Sequence, residues 1–245
     1  MKMQRVAVLL LSGLAVLLVA ADEQKPAAGK PDADGFISLF DGKTLDGWEG
    51  LEGFWTVKDG AIDGHETKEH SAQTFLVYKP RQFSDFELHA KYRFVSKDGN
   101  SGIQFRSKVI DPQTFRVGGY QADMDGTRAY DGGVYDEAGV AGGRGIMGPR
   151  GERIIWKADG SKQAEKLDKG SDELKKEIKE NDWNEYVIVA KGNHITLSVN
   201  GHVTSEMTDD SPQALKDGVL ALQLHQGYTM EVQFKDIKIK PLDSK

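Results

Sequence analysis

Phe86, Leu88, Ala90, Tyr92 and Phe94 alternate without a break with Glu87, His89, Lys91 and Arg93. Successive side chains on a strand point to opposite faces, whereas one face of a helix collects residues three and four apart. This stretch gathers its apolar side chains on one side only if it is extended. It then needs a second apolar layer to cover them. Much of the chain repeats that demand in shorter form. Segments 36–40, 54–58, 103–105, 120–124, 154–156, 186–190, 195–199, 219–224 and 230–234 read as strands. Asp59-Gly60 and Asn200-Gly201 are hairpin turns by composition, and a further turn is expected at Lys191-Gly192-Asn193-His194. The apolar parity slips from Val232 and Phe234 to Ile237 and Ile239, which predicts a β-bulge near Lys235-Asp236. One helix is expected over 172–180, capped by Ser171, with Asp172 and Glu173 in its first turn and Leu174 and Ile178 four apart. The sum predicts an all-β fold, two antiparallel sheets packed as a sandwich with one short surface helix. The glycine-rich stretch 132–151 is expected to be a long functional loop at a sheet rim.

The first residues read as a secretory leader. Lys2 and Arg5 precede an apolar run over 6–19, and Val19-Ala20-Ala21 offers a small-residue cleavage site before Asp22. The run is shorter than the ~20 residues of a spanning helix. A leader over 1–21 is therefore expected, then a flexible linker over 22–34 and one folded domain over 35–241. A periplasmic or secreted location follows, with no membrane attachment once the leader is gone. The chain has no cysteine, so an exported domain would rely on its core without disulfides. Lys and Arg number 32 against 38 Asp and Glu, a net charge of −6. Loss of Lys2 and Arg5 takes it to about −8. That balance argues against nucleic acid and anionic membranes, and suits a neutral polar ligand.

Three strands carry the same arrangement, a glutamine followed two residues later by a strongly polar side chain. They are Gln104 with Arg106, Gln121 with Asp123, and Gln223 with His225. Each pair should stand on one face, opposite the apolar residues between and beside it. Buried amides and charges without partners are costly, so three such pairs predict a polar sheet face that grips something rich in hydroxyls.

The ordered segments Phe40-Asp41-Gly42-Lys43-Thr44-Leu45-Asp46-Gly47-Trp48, Trp55-Thr56-Val57-Lys58-Asp59-Gly60-Ala61-Ile62 and Phe83-Ser84-Asp85-Phe86-Glu87-Leu88 are joined by several others. These are Gly99-Asn100-Ser101-Gly102-Ile103-Gln104-Phe105-Arg106, Gly119-Tyr120-Gln121-Ala122-Asp123, Val134-Tyr135-Asp136-Glu137, Trp183-Asn184-Glu185-Tyr186, Asn200-Gly201 and Gln223-Leu224-His225-Gln226-Gly227. Together, and in this order, they resemble the 3-keto-disaccharide hydrolase domain family, some of whose members are described as 3-keto-glycoside lyases. The resemblance implies a concanavalin A-like jelly roll and cleavage of 3-keto glycosides. It also implies a separate sugar 3-dehydrogenase to supply the ketone, since the chain has no dinucleotide fingerprint, phosphate loop or nucleophile elbow.

A ketone at C3 acidifies the hydrogen on C2. Elimination of the C1 substituent and addition of water then give net hydrolysis, a route that needs a base, an enolate stabiliser and an acid. The expected catalytic residues are His225, Asp123 and Tyr135. The expected substrate-binding residues are Arg106, Gln104, Gln121, Gln223, Asn100, Glu137 and Trp48. Each has a plainer reading: a hydrogen-bonded histidine, an Asp123–Arg106 ion pair, a packed Tyr135, an Asn100 that forms its turn. Trp55 and Trp183 sit inside strand patterns as core residues do, leaving Trp48 as the ring expected near a rim. A divalent metal stays open, but neither His65, Glu66, Glu69 and His70 nor Asp123, Asp125 and Asp131 has the spacing of a standard site. The rival to an enzyme is a non-catalytic carbohydrate-binding module of the same fold.

Overall fold

The computed structural model describes residues 29–242. The expected leader and the first part of the expected linker lie outside them. Residues 29–34 are exposed, and Asp32 accepts the backbone N–H groups of Asp34 and Phe36 just before the first strand.

The strands are β1 (Ile37–Ser38), β2 (Trp48–Glu49), β3 (Trp55–Lys58), β4 (Ala61–Glu66), β5 (Thr74–Tyr78) and β6 (Phe86–Phe94). Then come β7 (Asn100–Asp111), β8 (Arg116–Asp125), β9 (Val134–Glu137), β10 (Ile146–Gly148), β11 (Glu152–Trp156) and β12 (Lys162–Lys166). After α1 (Ser171–Glu177) follow β13 (Asn184–Lys191), β14 (His194–Val199), β15 (His202–Asp209), β16 (Val219–Leu224) and β17 (Met230–Pro241). A ten-stranded sheet runs β12-β11-β15-β14-β13-β6-β17-β4-β3, with β1 on β17. A seven-stranded sheet runs β10-β9-β8-β7-β16-β5-β2. Pairing is antiparallel except between β11 and β15, which run parallel.

The unbroken alternation over 86–94 is the burial pattern of β6, whose five apolar residues are buried and whose polar ones are half-exposed. They face Ile103, Phe105, Tyr120, Ala122, Met124, Leu220, Leu222 and Leu224 from the other sheet in one core. Burying each such large side chain is worth about 1.5–3 kcal/mol. Asp59-Gly60 and Asn200-Gly201 turn with both residues at positive φ, as two-residue hairpins require. The bulge falls where parity slipped: the β17–β6 register shifts between Lys235 and Lys238, and Asp236 has φ 51°.

Three expectations change. The helix begins at Ser171, with Gly170 in the capping position and no side-chain cap, and it ends at Glu177. The stretch 132–151 is not all loop, because it holds β9 and β10 at the edge of the seven-stranded sheet. Its turn is tied down by Asp136, whose carboxylate accepts the N–H groups of Ala141 and Arg144. Strands β5 and β12 were not anticipated. β12 is a fully exposed edge strand whose one apolar residue is Ala164, so no apolar alternation marks it.

Candidate active site

The outward face of the seven-stranded sheet carries the glutamines. Gln104 lies opposite Gln121 across β7 and β8, and Gln121 lies opposite Tyr135 across β8 and β9. Where the face meets the loop after β16, a cleft of about 340 Å³ is lined by Asn100, Gln121, Asp123, Tyr130, Tyr135, Glu137, Ile146 and His225. That lies within the common range of ligand sites, about 300–1,000 Å³.

A chain of hydrogen bonds aims at Asp123. Ser107 Oγ donates to Gln104 Oε1 at 2.8 Å, Gln104 Nε2 to Gln121 Oε1 at 2.5 Å, and Gln121 Nε2 to Asp123 Oδ1 at 3.2 Å. The Met124 N–H also donates to Asp123 Oδ1, at 3.0 Å. Both protein bonds fall on Oδ1, so Oδ2 is the oxygen left for a ligand or a proton. Burial pushes the Asp123 carboxyl well above the usual carboxylate range, and Asp131 and Asp125 add to the rise against the opposing pull of Gln121. Space for this chain comes from Gly102, which faces Asp123 across the ladder. A Cβ there would stand 2.4 Å from Gln121 Cδ. Gly102→Ala should therefore push Gln121 off Asp123, cost about 1–3 kcal/mol of stability by overpacking, and lower turnover in the folded protein. Melting temperature and activity together check this, and wild-type activity in the variant would contradict it.

Glu137 is held differently. Gln73 Nε2 donates to Oε1 and Gln223 Nε2 to Oε2, each at 3.2 Å. Burial raises its carboxyl, while those amides and the nearby His225 pull it down. His225 follows β16, and its Nδ1 lies 3.0 Å from the carbonyl oxygen of Gln226. A carbonyl only accepts, so Nδ1 carries the proton and Nε2 holds the lone pair of the neutral ring. The His225 turn is anchored from the loop before β5: Gln226 N–H donates to Gln73 Oε1 and Gly227 N–H to Ser71 Oγ. Tyr135 is raised by burial first and by Glu137 and Asp123 next. The Asn100 side chain makes no hydrogen bond among the described residues, although its carbonyl accepts the His225 N–H at 3.3 Å.

The structure thus brings together His225, Asp123, Tyr135, Asn100, Gln121 and Glu137, with Gln104 and Gln223 as the buried amides behind them. Two of the expected residues stand elsewhere. Arg106 sits at φ 47° in a bulge where the β7–β8 register shifts between Phe105 and Lys108, so it leaves the face of Gln104. Its ion pair is with Asp85 at 2.9 Å, not with Asp123, and it donates to the carbonyls of Ser84, Gly192 and Leu215. It lines a separate cavity of about 550 Å³ together with Tyr120 and Asp209. That cavity is larger, but Arg106 and Asp209 are already partnered within the fold: Arg144 clamps both oxygens of Asp209, and Tyr120 donates to the same carboxylate. Trp48 is also misplaced by the sequence reading. It is 7% exposed, donates its indole N–H to the Leu39 carbonyl and packs edge-on against Tyr78, so it is core and no sugar platform. Trp183, expected in the core, is instead half-buried beneath the cations of Arg93 and Lys235.

The metal readings find no support in the placement. His70 stacks on Phe54, and Glu66 is buried and accepts the Ala72 N–H. Asp125 caps its own turn at Thr127 and Tyr130. Among the described residues no three His, Asp or Glu side chains are grouped to hold an ion.

Asp131 lies fully buried below Asp123. It accepts the Tyr92 hydroxyl at 2.5 Å and the Asp125 N–H at 2.7 Å, yet burial pushes its carboxyl from 3.8 up to about 7. The folded state then binds this proton more tightly than the unfolded chain. Its contribution to stability is full below about pH 4 and is lost as pH rises towards about 7. Wild-type protein should lose more melting temperature between pH 5 and pH 8 than Asp131→Asn, and an equal loss in both would contradict the assignment.

Sequence reasoning missed Tyr130, Ile146 and Gln73. Nothing in the local pattern marks Gln73, which acts through the fold by joining the His225 turn to Glu137.

Residues 35–240 match the 3-keto-alpha-glucoside-1,2-lyase-like domain, and the chain belongs to that family. A 3-keto-disaccharide hydrolase of Bacteroides thetaiotaomicron is 38% identical over 88 residues, which covers 32% of this chain and 30% of that relative's length. Among solved structures, a Parabacteroides distasonis protein provisionally assigned as a glycosyl hydrolase superposes with TM-score 0.54 at 19% identity, over 86% of this chain and 95% of the other. A Bacillus subtilis protein with a galectin-like fold gives 0.54 at 12% identity, over 82% and 92%. The carbohydrate-binding module CBM66 from Bacillus subtilis gives 0.50 at 14%, over 79% and 95%. These likenesses show the fold, the jelly-roll sandwich that the strand order describes. Among the described residues no helix is long and apolar enough to cross a membrane.

Proposed function

We propose that this chain is an exported carbohydrate-active enzyme that cleaves 3-keto glycosides by elimination and hydration. The observation that carries the reading is the pairing in one cleft of a histidine whose Nδ1 is held by a backbone carbonyl, leaving Nε2 to a ligand, and a carboxyl biased by burial towards its protonated form. Such a split is how one site holds a base and an acid at the same pH. His225 Nε2 takes the C2 proton, and the electron pair forms the C1–C2 double bond through an enolate whose negative charge rests on the C3 oxygen. Asp123 Oδ2–H gives its proton to the glycosidic oxygen as the C1–O bond breaks. Asn100 and Tyr135 stand as donors for the enolate oxygen, while Gln121 and Glu137 orient ring hydroxyls. For hydration the roles reverse: Asp123 takes a proton from water adding at C1, and His225 returns one to C2. The ketone is supplied by a separate sugar 3-dehydrogenase.

Membership of the family and the short match to a 3-keto-disaccharide hydrolase support the substrate class. The test compares 3-keto glucosides with the parent glucosides, using wild type and His225→Gln. The enzyme reading expects turnover of the ketones only, lost in the variant while binding persists. Binding without turnover in the wild type would instead identify a carbohydrate-binding module.

A further inference from the structure

Beside the polar cleft lies a second, smaller one of about 180 Å³. It shares Asp123, Tyr130, Tyr135 and Ile146 with the first and adds Ala129, Val134 and Pro149 among its walls. The two clefts are one site with two characters. The first is ringed by amides, carboxyls and an imidazole. The second is walled by rings and aliphatic side chains.

Its mouth is unusual for a protein surface. Only Val95, Ile110, Tyr130, Ile146 and Val203 are exposed large hydrophobics among the described residues, and two of those five stand here, at 52% and 50% exposure. Exposed apolar side chains grouped at a cleft mark a binding surface. Both are held in place. The Tyr130 N–H donates to Asp125 Oδ1 at 2.8 Å, and its carbonyl accepts the Gly133 N–H. Ile146 pairs across β10 and β9 with Tyr135.

We infer that this annex is the leaving-group subsite, and that it takes an aromatic, phenol-like aglycone in preference to a second sugar. The inference rests on the proposed function. A second sugar would bring several hydroxyls that need partners, and burying them without partners is costly. Of the polar side chains that line the annex and not the first cleft, Arg150 and Ser171, the guanidinium is already spent on the protein. Arg150 donates to the carbonyls of Arg128, Ala129, Asp131 and Ser171 and to Ser171 Oγ. An apolar cavity of ~150 Å³ holds benzene, so the annex has room for one aromatic ring. Asp123 borders both clefts, which puts the proposed acid at the junction where the scissile oxygen would lie.

The experiment measures binding of phenyl and methyl glucosides, both anomers, as parent sugars and as 3-keto forms, to full-length wild type, Tyr130→Ala and Ile146→Ser. Both side chains are half exposed, so neither change threatens the core. Wild type should prefer phenyl over methyl by about tenfold or more, the size of effect a hydrophobic pocket gives. The ratio should collapse towards one in both variants. Equal affinity for phenyl and methyl, a 3-keto-disaccharide bound as tightly as the phenyl compound, no binding of any phenyl glucoside, or a ratio unchanged in the variants would each overturn the inference. Failure of the proposed function reads differently: wild type would cleave none of the 3-keto compounds while the phenyl preference in binding persisted.

Discussion

Asp123→Asn should lower turnover of 3-keto glycosides with alkyl leaving groups by about 10²–10⁴-fold, the usual worth of a positioned acid or base. Asparagine keeps the shape and still accepts from Gln121 and Met124 through its oxygen. What it lacks is the proton on the second oxygen. The signature is therefore selective. A 4-nitrophenyl leaving group departs as a stable anion without protonation, so the loss on that substrate should be much smaller. His225→Gln, which removes the proposed C2 base, should be equally severe on both. Steady-state kinetics on the two leaving groups separates these cases. An Asp123→Asn variant equally impaired on both would move the acid to another residue, with Tyr135 next in line.

The largest expected effect on stability falls on a residue that the sequence pattern had offered to the sugar. Arg106→Met should destabilise the fold by about 3–5 kcal/mol, because removing one partner strands the other half of a buried ion pair. Arg106 is 1% exposed, and its loss leaves Asp85 with the Gly192 N–H but no cation, and strips its N–H donors from the carbonyls of Ser84, Gly192 and Leu215. Burial works against its charge and Asp85 supports it, so the pair depends on its hydrogen bonds. Denaturant unfolding measures the loss, and Arg106→Lys, which keeps charge without the fork, should fall between. Ligand affinity of the folded variants should match wild type. A stable Arg106→Met protein with weakened sugar binding would restore Arg106 to the site and contradict the placement.

Arg106 also shows where the sequence stops being legible. Alternation carried the reading far: β6, the two Asp/Asn-Gly hairpins and the slip at Lys235-Asp236 are local events written in local residues. The same rule put Gln121 and Asp123 on one outward face, and put Gln104 and Gln223 there too. It failed at Arg106 because a bulge inserts one residue and reverses the parity after it, and an arginine at positive φ gives no compositional warning. Trp48 failed for another reason. A tryptophan after Asp46-Gly47 looks like a rim residue until the β2–β5 pairing carries it under Tyr78. Gln73 and Ile146 were invisible because their roles arise only when segments distant in the chain meet: Gln73 reaches Glu137 and the Gln226 N–H, and β10 brings Ile146 against Tyr135.

The central claim is C2 proton abstraction by a residue of this cleft, and one experiment addresses it most directly. Proton NMR follows a 3-keto glucoside with the purified protein in deuterated water, with and without an added divalent metal ion. The account predicts release of the aglycone with deuterium at C2 of the 3-keto glucose produced. Cleavage that leaves the C2 proton in place, or binding with no cleavage under either condition, would contradict it.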